Sequence, residues 1–485
     1  MSVKKKSVWK NSVLNLFYKL VSMLFPLVSS AYVARILMPS GVGKVATAQN
    51  IVSYFLMFAV LGLPSYGIRE ISKTRENQRE LNRTFSELIT INAISTTVAI
   101  LGYAMLIFAM EKDCNEWGLY IACGLQLVFN YFNIDWLYQG EEDYSYICKR
   151  SLAIKTLSLI LLYALVKEPS DIIPYASITS CALGLNYFFN IVYSRKYVSF
   201  SLKGLHLRSH LSPLLVLFLT IILSGIYSKV DMTMLGLFST EEAAGLYTTA
   251  HKIVDIIIGL CASLTVVLLP RLSYSYAHDR TAFFQLLSQG MRVLFFVTIP
   301  LTAGLCLLAP QGMTILYGSS FKSGATALSI LSLLIVVKSL GDLLCYQLTI
   351  CTGNEKKRLP AYFCGAALNI GLNMIMIPRM HQNGAALASL ISEFVVNGIQ
   401  YGIMKKIVGF SLEWKALWQS VIATVCMACA VLLVKFSVKN MVIETVLSVV
   451  VGGGVYLAVN CFMKNELTIS IASFIRRRLG EMTRK

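Results

Sequence analysis

Among the ionisable side chains inside stretches of this sequence apolar enough to lie in a bilayer, thirteen are candidates for chemistry. They are the cations Lys19, Arg35, Lys155, Lys229, Lys252, Arg292 and Lys338, the acids Asp135, Asp231, Asp255, Asp342 and Glu393, and His251. A charge at the bilayer centre costs about 2.5–3.5 kcal/mol on insertion scales, so each must pair, reach water or serve a function. Lys229, Asp231, His251, Lys252 and Asp255 gather in the outer half of one predicted helical hairpin. His251 and Lys252 stand four and three residues before Asp255, so both share a helix face with it. This pattern fits a self-neutralising ion-pair network. It equally fits an anion or proton site facing a cavity. Lys338 stands four before Asp342 and is placed to neutralise it. Glu393 has no obvious local partner and is the candidate for proton coupling. Lys155, Arg292 and Asp135 lie within about two turns of a helix end, where long side chains snorkel to the interface. Cations outnumber acids in this set, which suits an anionic substrate.

The elements that must position these groups are membrane helices. The chain has 485 residues, 56% hydrophobic and 14% charged, with mean hydropathy +0.65. A soluble domain of that length needs more polar surface. A hydrocarbon core of about 30 Å takes about 20 apolar residues per helix. Fourteen spans are expected, near 12–36, 45–64, 85–109, 118–138, 150–166, 174–194, 211–236, 245–269, 290–309, 327–351, 360–377, 384–404, 417–434 and 442–462. The gaps are too short for a soluble domain with its own core. No G-x-x-x-x-G-K-[ST] phosphate loop is present, which argues against direct use of ATP. Neither a catalytic set nor a metal or cofactor site is expected.

Charge gives the orientation. Of the 43 lysines and arginines, 29 fall in gaps on the side of the N-terminus and seven in the opposite gaps. The positive-inside rule places both termini in the cytoplasm. The net charge of +18 thus follows topology and is not a nucleic-acid signal. The basic face should hold anionic membrane lipid. The 12 cysteines show no metal spacing and read as free thiols. The basic, then apolar, N-terminus is read as an uncleaved first helix, because its apolar run is too long for a signal peptide.

A repeat recurs at an offset of 202 residues. Gly43–Val52 aligns with Gly245–Val254 at five identities, and Arg69 aligns with Arg271. The offset covers six helices, an even number, so the copies run the same way. The expected organisation is a six-helix bundle over 1–205 and a second over 206–410. Residues 411–485 add two helices and a basic tail. A substrate path would lie between the bundles.

Three ordered stretches carry a family likeness. The first comprises Pro26-Leu27, Ala31-Tyr32-Val33-Ala34-Arg35-Ile36-Leu37-Met38-Pro39-Ser40-Gly41-Val42-Gly43, Ala48-Gln49, Tyr54-Phe55 and Gly67-Ile68-Arg69-Glu70-Ile71. The second comprises Asp231-Met232-Thr233-Met234-Leu235-Gly236, Gly245-Leu246-Tyr247, Ala250-His251-Lys252-Ile253 and Leu268-Leu269-Pro270-Arg271-Leu272-Ser273. The third comprises Gly365-Ala366-Ala367-Leu368-Asn369, Leu372-Asn373, Ile377-Pro378 and Asn383-Gly384-Ala385-Ala386. Together they resemble the O-antigen-type polysaccharide flippases of the multidrug/oligosaccharidyl-lipid/polysaccharide exporter superfamily. The resemblance implies an all-α membrane protein with a MATE-like two-bundle fold and parallel six-helix repeats. It implies a flippase, not an enzyme, moving an undecaprenyl-diphosphate-linked oligosaccharide to the outer leaflet by alternating access. Such a protein serves surface polysaccharide biosynthesis, as O-antigen, capsule or exopolysaccharide, in the bacterial inner membrane. A polysaccharide polymerase and chain-length proteins are the implied partners, and a monomer is expected. Met232 departs from the family, which often carries Lys there, and Lys229 stands three residues earlier. For the anionic head the candidates are Lys19, Arg35, Lys229, Lys252 and Lys338. For coupling or ion pairing they are Asp231, His251, Asp255, Asp342 and Glu393. The alternative is a cation-coupled multidrug exporter of the same fold, which would favour acidic and aromatic pockets.

Overall fold

In hydrocarbon every backbone N–H and C=O must be satisfied within the protein, so an apolar chain of this kind has to be helical. The computed structural model describes residues 8–110 and 116–469, with side chains from Phe25 onward apart from residues 220, 223 and 224. Among the described residues there is no strand. Each of the fourteen predicted spans is mainly helical; the one near 118–138 crosses a break at 130–134, and those near 45–64, 245–269 and 290–309 run past a helix end. The helix Val8–Val60 breaks at Met38, where φ is 61°, into limbs α1 (8–37) and α2 (39–60). Then follow α3 (Gln78–Met110), α4 (Trp117–Phe129, continued as Asp135–Gly140), α5 (Tyr144–Leu165), α6 (Ile172–Ser194), α7 (Arg208–Phe238) and α8 (Glu241–Val266). Next come α9 (Arg280–Leu307) and α10, which runs from Ala325 to Cys351 through a π-helical turn at Asp342–Gln347. The helix Leu359–Val408 breaks at His381, φ 49°, into α11 (359–380) and α12 (382–408). The last two are α13 (Trp414–Ser437) and α14 (Met441–Phe462). Among the described residues nine helical stretches are long and apolar enough to cross a membrane, and two of them, Phe25–Thr74 and Glu355–Val408, hold two spans each.

Each break has a proline nearby, but only the first break lies directly before its proline. Pro39 has no N–H to donate and pushes Met38 out of the helical region. Pro378 lies three residues before His381. There the chain turns so tightly that a Cβ on Gly384 would lie 2.4 Å from the Met376 carbonyl oxygen. After α2 and α8, short helices Leu63–Thr74 and Leu269–His278 each begin at a proline and carry Arg69 and Arg271. The repeat therefore extends to these short helices.

The chain forms two compact units, Met1–Gly245 and Leu246–Lys485. In the first, α7 packs along α2, with Gly225 against Met57 and Gly236 against Thr47. The repeat places α7 at the head of the second bundle, yet these contacts put it in the first compact unit. A core of Leu63, Tyr66, Phe85, Ile134, Trp136 and Leu214 joins the short helix to α3, α4 and α7. Gly67 is needed there, because a Cβ would meet the Trp136 ring at 2.8 Å. In the second unit, a core of Leu272, Phe283, Leu294, Phe295, Leu343 and Met404 joins α9, α10 and α12.

The charges expected to snorkel have partners within the protein. Asp135 pairs with the buried Arg150 at 3.0 Å and accepts from Asn190 at 2.6 Å. Arg292 pairs with Glu413 at 3.0 Å and also with Glu466. The Lys155 ammonium sits 5.7 Å from the centre of the Phe25 ring. The buried Glu87 accepts from His210 at 2.8 Å and from Arg83 at 3.0 Å, and Tyr66 bonds the other His210 ring nitrogen at 2.7 Å. Eleven cysteines are free thiols; Cys114 lies outside the described residues.

The repeat-equivalent glycines Gly43 and Gly245 meet each other. A Cβ on Gly43 would fall 1.8 Å from the Glu241 carbonyl oxygen and 2.9 Å from Gly245 N. One on Gly245 would fall 1.9 Å from the Pro39 carbonyl oxygen. Close approach of small residues is how membrane helices gain contact without a hydrophobic drive. Gly43→Ala is accordingly expected to cost about 1–3 kcal/mol, as overpacking does, and to lower the melting temperature in detergent. Gly371→Ala, where nothing lies within 4 Å of the added methyl, should melt at or above wild type. Equal melting of the two variants would contradict the close contact. Asp135→Ala strands Arg150 and should cost about 3 kcal/mol. Adding Arg150→Met should restore most of that; no restoration would mean that the pair is not the source of the loss.

Candidate functional site

Helix α8 supplies the densest group of candidates. Its face carries Tyr247, His251, Lys252 and Asp255 within just over two turns. His251 Nδ1 lies 2.8 Å from Asp255 Oδ2, one turn on. The Tyr247 ring sits 5.5 Å from the His251 ring, and its hydroxyl bonds Ser389 Oγ of α12 at 3.1 Å. Tyr317 OH donates to the Thr249 carbonyl at 3.4 Å. Helix α8 is thereby fixed from both sides, so its charged groups are held in place. Asp255 is largely exposed, while Lys252 is only partly so. Of the two i-spaced pairs expected on this helix, His251–Asp255 forms. Among the described residues Lys252 makes no ion pair within 4.0 Å.

Helix α10 departs from the expected pairing. Lys338 and Asp342 are not joined. The Asp342 carboxylate accepts from Thr265 Oγ1 at 2.6 Å and from Gln347 Nε2 at 2.9 Å. Asp342 and Gln347 are five residues apart, and they meet because the backbone is π-helical between them. Lys338, partly buried, is left without a carboxylate within 4.0 Å among the described residues.

Glu393 on α12 does have a local partner, which sequence reading missed. Asn397 donates from Nδ2 to Glu393 Oε1 at 3.1 Å and to its carbonyl at 2.9 Å. Asn397 also wedges against α10, since a Cβ on Gly341 would fall 1.8 Å from its Oδ1. Gly341 is the residue before the π-turn, so Glu393 and the turn are mechanically joined through Asn397. The spacing of four between Glu393 and Asn397 was the available signal. Asn369 and Asn373 of α11 are both buried and bond each other at 3.0 Å.

The first unit holds the remaining candidates. Lys229 and the buried Asp231 lie on α7, which is tied to α2 by a polar cluster. Asn50 Nδ2 donates to Thr233 Oγ1 at 2.7 Å, and Tyr54 OH bonds the same oxygen at 2.8 Å. Lys229, partly buried, has no ion pair within 4.0 Å among the described residues. Arg35 is exposed near the far end of α1. Lys19 lies outside the described residues. Among the described residues no group of three His, Cys, Asp or Glu side chains is placed to hold a metal ion.

An apolar groove of about 690 Å³ opens in the second unit. Ile299 of α9, Leu333 and Leu340 of α10, Phe394 of α12, and Leu417 and Val421 of α13 form its walls. Gly341, Cys345 and Asn397 also line it, so it adjoins the π-turn and the Glu393 neighbourhood.

Comparison with known proteins agrees with this architecture. The family described as polysaccharide biosynthesis protein matches residues 8–275, and that of the lipid II flippase MurJ matches residues 186–452. A putative O-antigen transporter of Shigella dysenteriae is 23% identical over 78% of this chain and 94% of its own length. One of Escherichia coli (strain K12) is 22% identical over 82% of this chain and 97% of its own. Among solved structures, lipid II flippase MurJ in an inward closed conformation superposes with TM-score 0.76 at 16% identity, over 94% of this chain and 99% of that one. An inward-facing multidrug resistance MATE family transporter does so with TM-score 0.65 at 15% identity, over 82% of this chain and 98% of that one. These likenesses show a MATE-like membrane fold. With more than half of its length matched, the chain belongs to the polysaccharide biosynthesis protein family.

Proposed function

We propose that this protein is a flippase for a lipid-linked oligosaccharide, of the undecaprenyl-diphosphate type, in surface polysaccharide biosynthesis. The observation that carries the reading is the set of lysines Lys229, Lys252 and Lys338. Each lies within a membrane span, is partly buried, and has no carboxylate within 4.0 Å among the described residues. Bare ammonium groups in hydrocarbon are costly, and they become useful only where water and an anion reach them. A diphosphate offers several acceptor oxygens and two or more negative charges, which matches point-charge donors on flexible stems. In the second unit Lys252 and Lys338 are the cations for the head; in the first unit Lys229 and Arg35 are the candidates.

The apolar groove beside α13 supplies a complementary surface for the isoprenoid tail. Its volume is within the range of about 300–1,000 Å³ that encloses a small apolar ligand. Alternating access then moves the head across while the tail stays in an apolar environment. With both termini cytoplasmic and the cell interior negative, each negative charge moved outward gains about 2.3 kcal/mol per 100 mV. His251 with Asp255, and Glu393 with Asn397, are the groups able to exchange a proton during the cycle. Asp231 and Asp342 are engaged in hydrogen bonds or buried and act as structural acids. The protein works as a monomer beside a polysaccharide polymerase and chain-length proteins. The curated relatives named as O-antigen transporters support this reading at the level of family.

Reconstitution tests it. Purified protein in liposomes containing a lipid-diphosphate-linked oligosaccharide should speed exposure of the sugar to an external lectin. Lys252→Ala and Lys338→Ala should each slow that exposure about tenfold, the loss of one charge-assisted contact, while Lys252→Arg should retain most of it. Full activity in both alanine variants would remove the lysines from the site. A folded wild type that moves no lipid-linked sugar would overturn the flippase reading itself.

A further inference from the structure

A second cavity lies at the basic end of the first unit and is not used by the transport reading. Its volume is about 690 Å³. Its walls are Phe85, Ile89 and Ala93 of α3, Phe132 after α4, and Ile191 of α6. The space exists because α4 is interrupted. After Phe129 the chain makes a 3-10 turn at Asn130–Phe132 and an extended step at Asn133 before helix resumes at Asp135. Arg195, at the end of α6, lines the opening and is exposed.

The segment after α6 closes the other side. It is irregular backbone, and side chains of α3 satisfy it. Ser199 N donates to Asn82 Oδ1 at 2.9 Å, Ser201 N donates to Ser86 Oγ at 3.0 Å, and Gln78 Nε2 donates to the Tyr197 carbonyl at 2.6 Å. This pinning turns Phe200 and Leu202 outward, 55% and 68% exposed, at the rim of the cavity. Two large apolar groups held outward in the same segment as the exposed Arg195, Lys196 and Lys203 make a surface that is part apolar and part cationic. Such a surface matches the interface of a membrane leaflet, where apolar side chains dip among acyl chains and cations meet phosphates.

The geometry points to a binding site for an anionic phospholipid of the leaflet on the basic side, with one acyl chain in the cavity and its phosphate on Arg195. Charge selects the occupant. Of the buried acids of this region, Glu87 is already consumed by Arg83, His210 and the His206 N–H, and Asp143 accepts from Tyr193 and Tyr197. The mouth therefore keeps its positive charge. A zwitterionic lipid would bring its own cation to that mouth and gain less. The assignment of the leaflet to the cytoplasmic side rests on the orientation proposed above. The test below is blind to sidedness and so fails or succeeds independently of it.

Native mass spectrometry of the full chain, delipidated in detergent and titrated with dioleoyl phosphatidylglycerol or dioleoyl phosphatidylcholine, reads the site directly. Wild type should retain one phosphatidylglycerol under activation that strips phosphatidylcholine. Arg195→Gln, at an exposed position that leaves the fold intact, should weaken phosphatidylglycerol about fivefold, as expected for one interfacial cation, and Arg195→Lys should retain it. Ala93→Phe, which fills the cavity, should weaken both lipids. If Arg195→Gln holds phosphatidylglycerol as wild type does, the site is not there. If undecaprenyl phosphate binds in place of phosphatidylglycerol and is lost in the same variants, the cavity belongs to the substrate and the proposal is overturned.

Discussion

Charge in hydrocarbon is the constraint on which the rest of this structure depends. An ion left bare in the bilayer costs several kcal/mol, and this chain carries more than a dozen ionisable groups within its spans. Most are disposed of locally. Asp135 and Arg150 neutralise each other, Arg292 is held by two glutamates, and Asp342 is covered by a threonine and a glutamine. Against that background the three lysines without carboxylate partners among the described residues stand apart. They are the groups that the fold itself does not account for.

Backbone irregularity follows the same logic. Helices cross membranes because they satisfy their own polar groups, so a break is tolerated only where other groups compensate. The α4 interruption is covered by Asn92, Asn130 and Thr96, which bond one another and the Asn130 carbonyl at 2.7–3.2 Å. The π-turn of α10 brings Gln347 onto Asp342 and places Gly341 against Asn397. Irregular turns of this kind recur at functional sites. Here the turn sits beside both Lys338 and the apolar groove, joining the polar and apolar halves of the proposed site.

The fourteen spans were legible in the sequence because hydropathy adds up along a chain and needs no knowledge of neighbours. The repeat was legible for a related reason, since Gly43 and Gly245 are retained where two backbones meet. Pairings were less so. His251–Asp255 was readable as a one-turn spacing. Asp135–Arg150, fifteen residues apart, and Arg292–Glu413, over a hundred apart, depend on how helices pack. The Lys338–Asp342 expectation failed although the register between the two is α-helical; the carboxylate is engaged by Thr265 and Gln347 instead. Glu393–Asn397 had the right spacing, but an asparagine draws less notice than a charge. The short helices Leu63–Thr74 and Leu269–His278 hid within gaps because they lie outside the apolar runs.

The central claim is that a water-reached, positively charged surface lies along α8 within the membrane span. The most direct measurement is thiol reactivity at Thr248→Cys, one turn before Lys252, in an otherwise cysteine-free chain in native membranes. An anionic methanethiosulfonate reagent should react faster there than a cationic one, relative to their rates on a free thiol, and Lys252→Gln should erase the preference. An inert thiol, or a preference for the cationic reagent, would contradict the account.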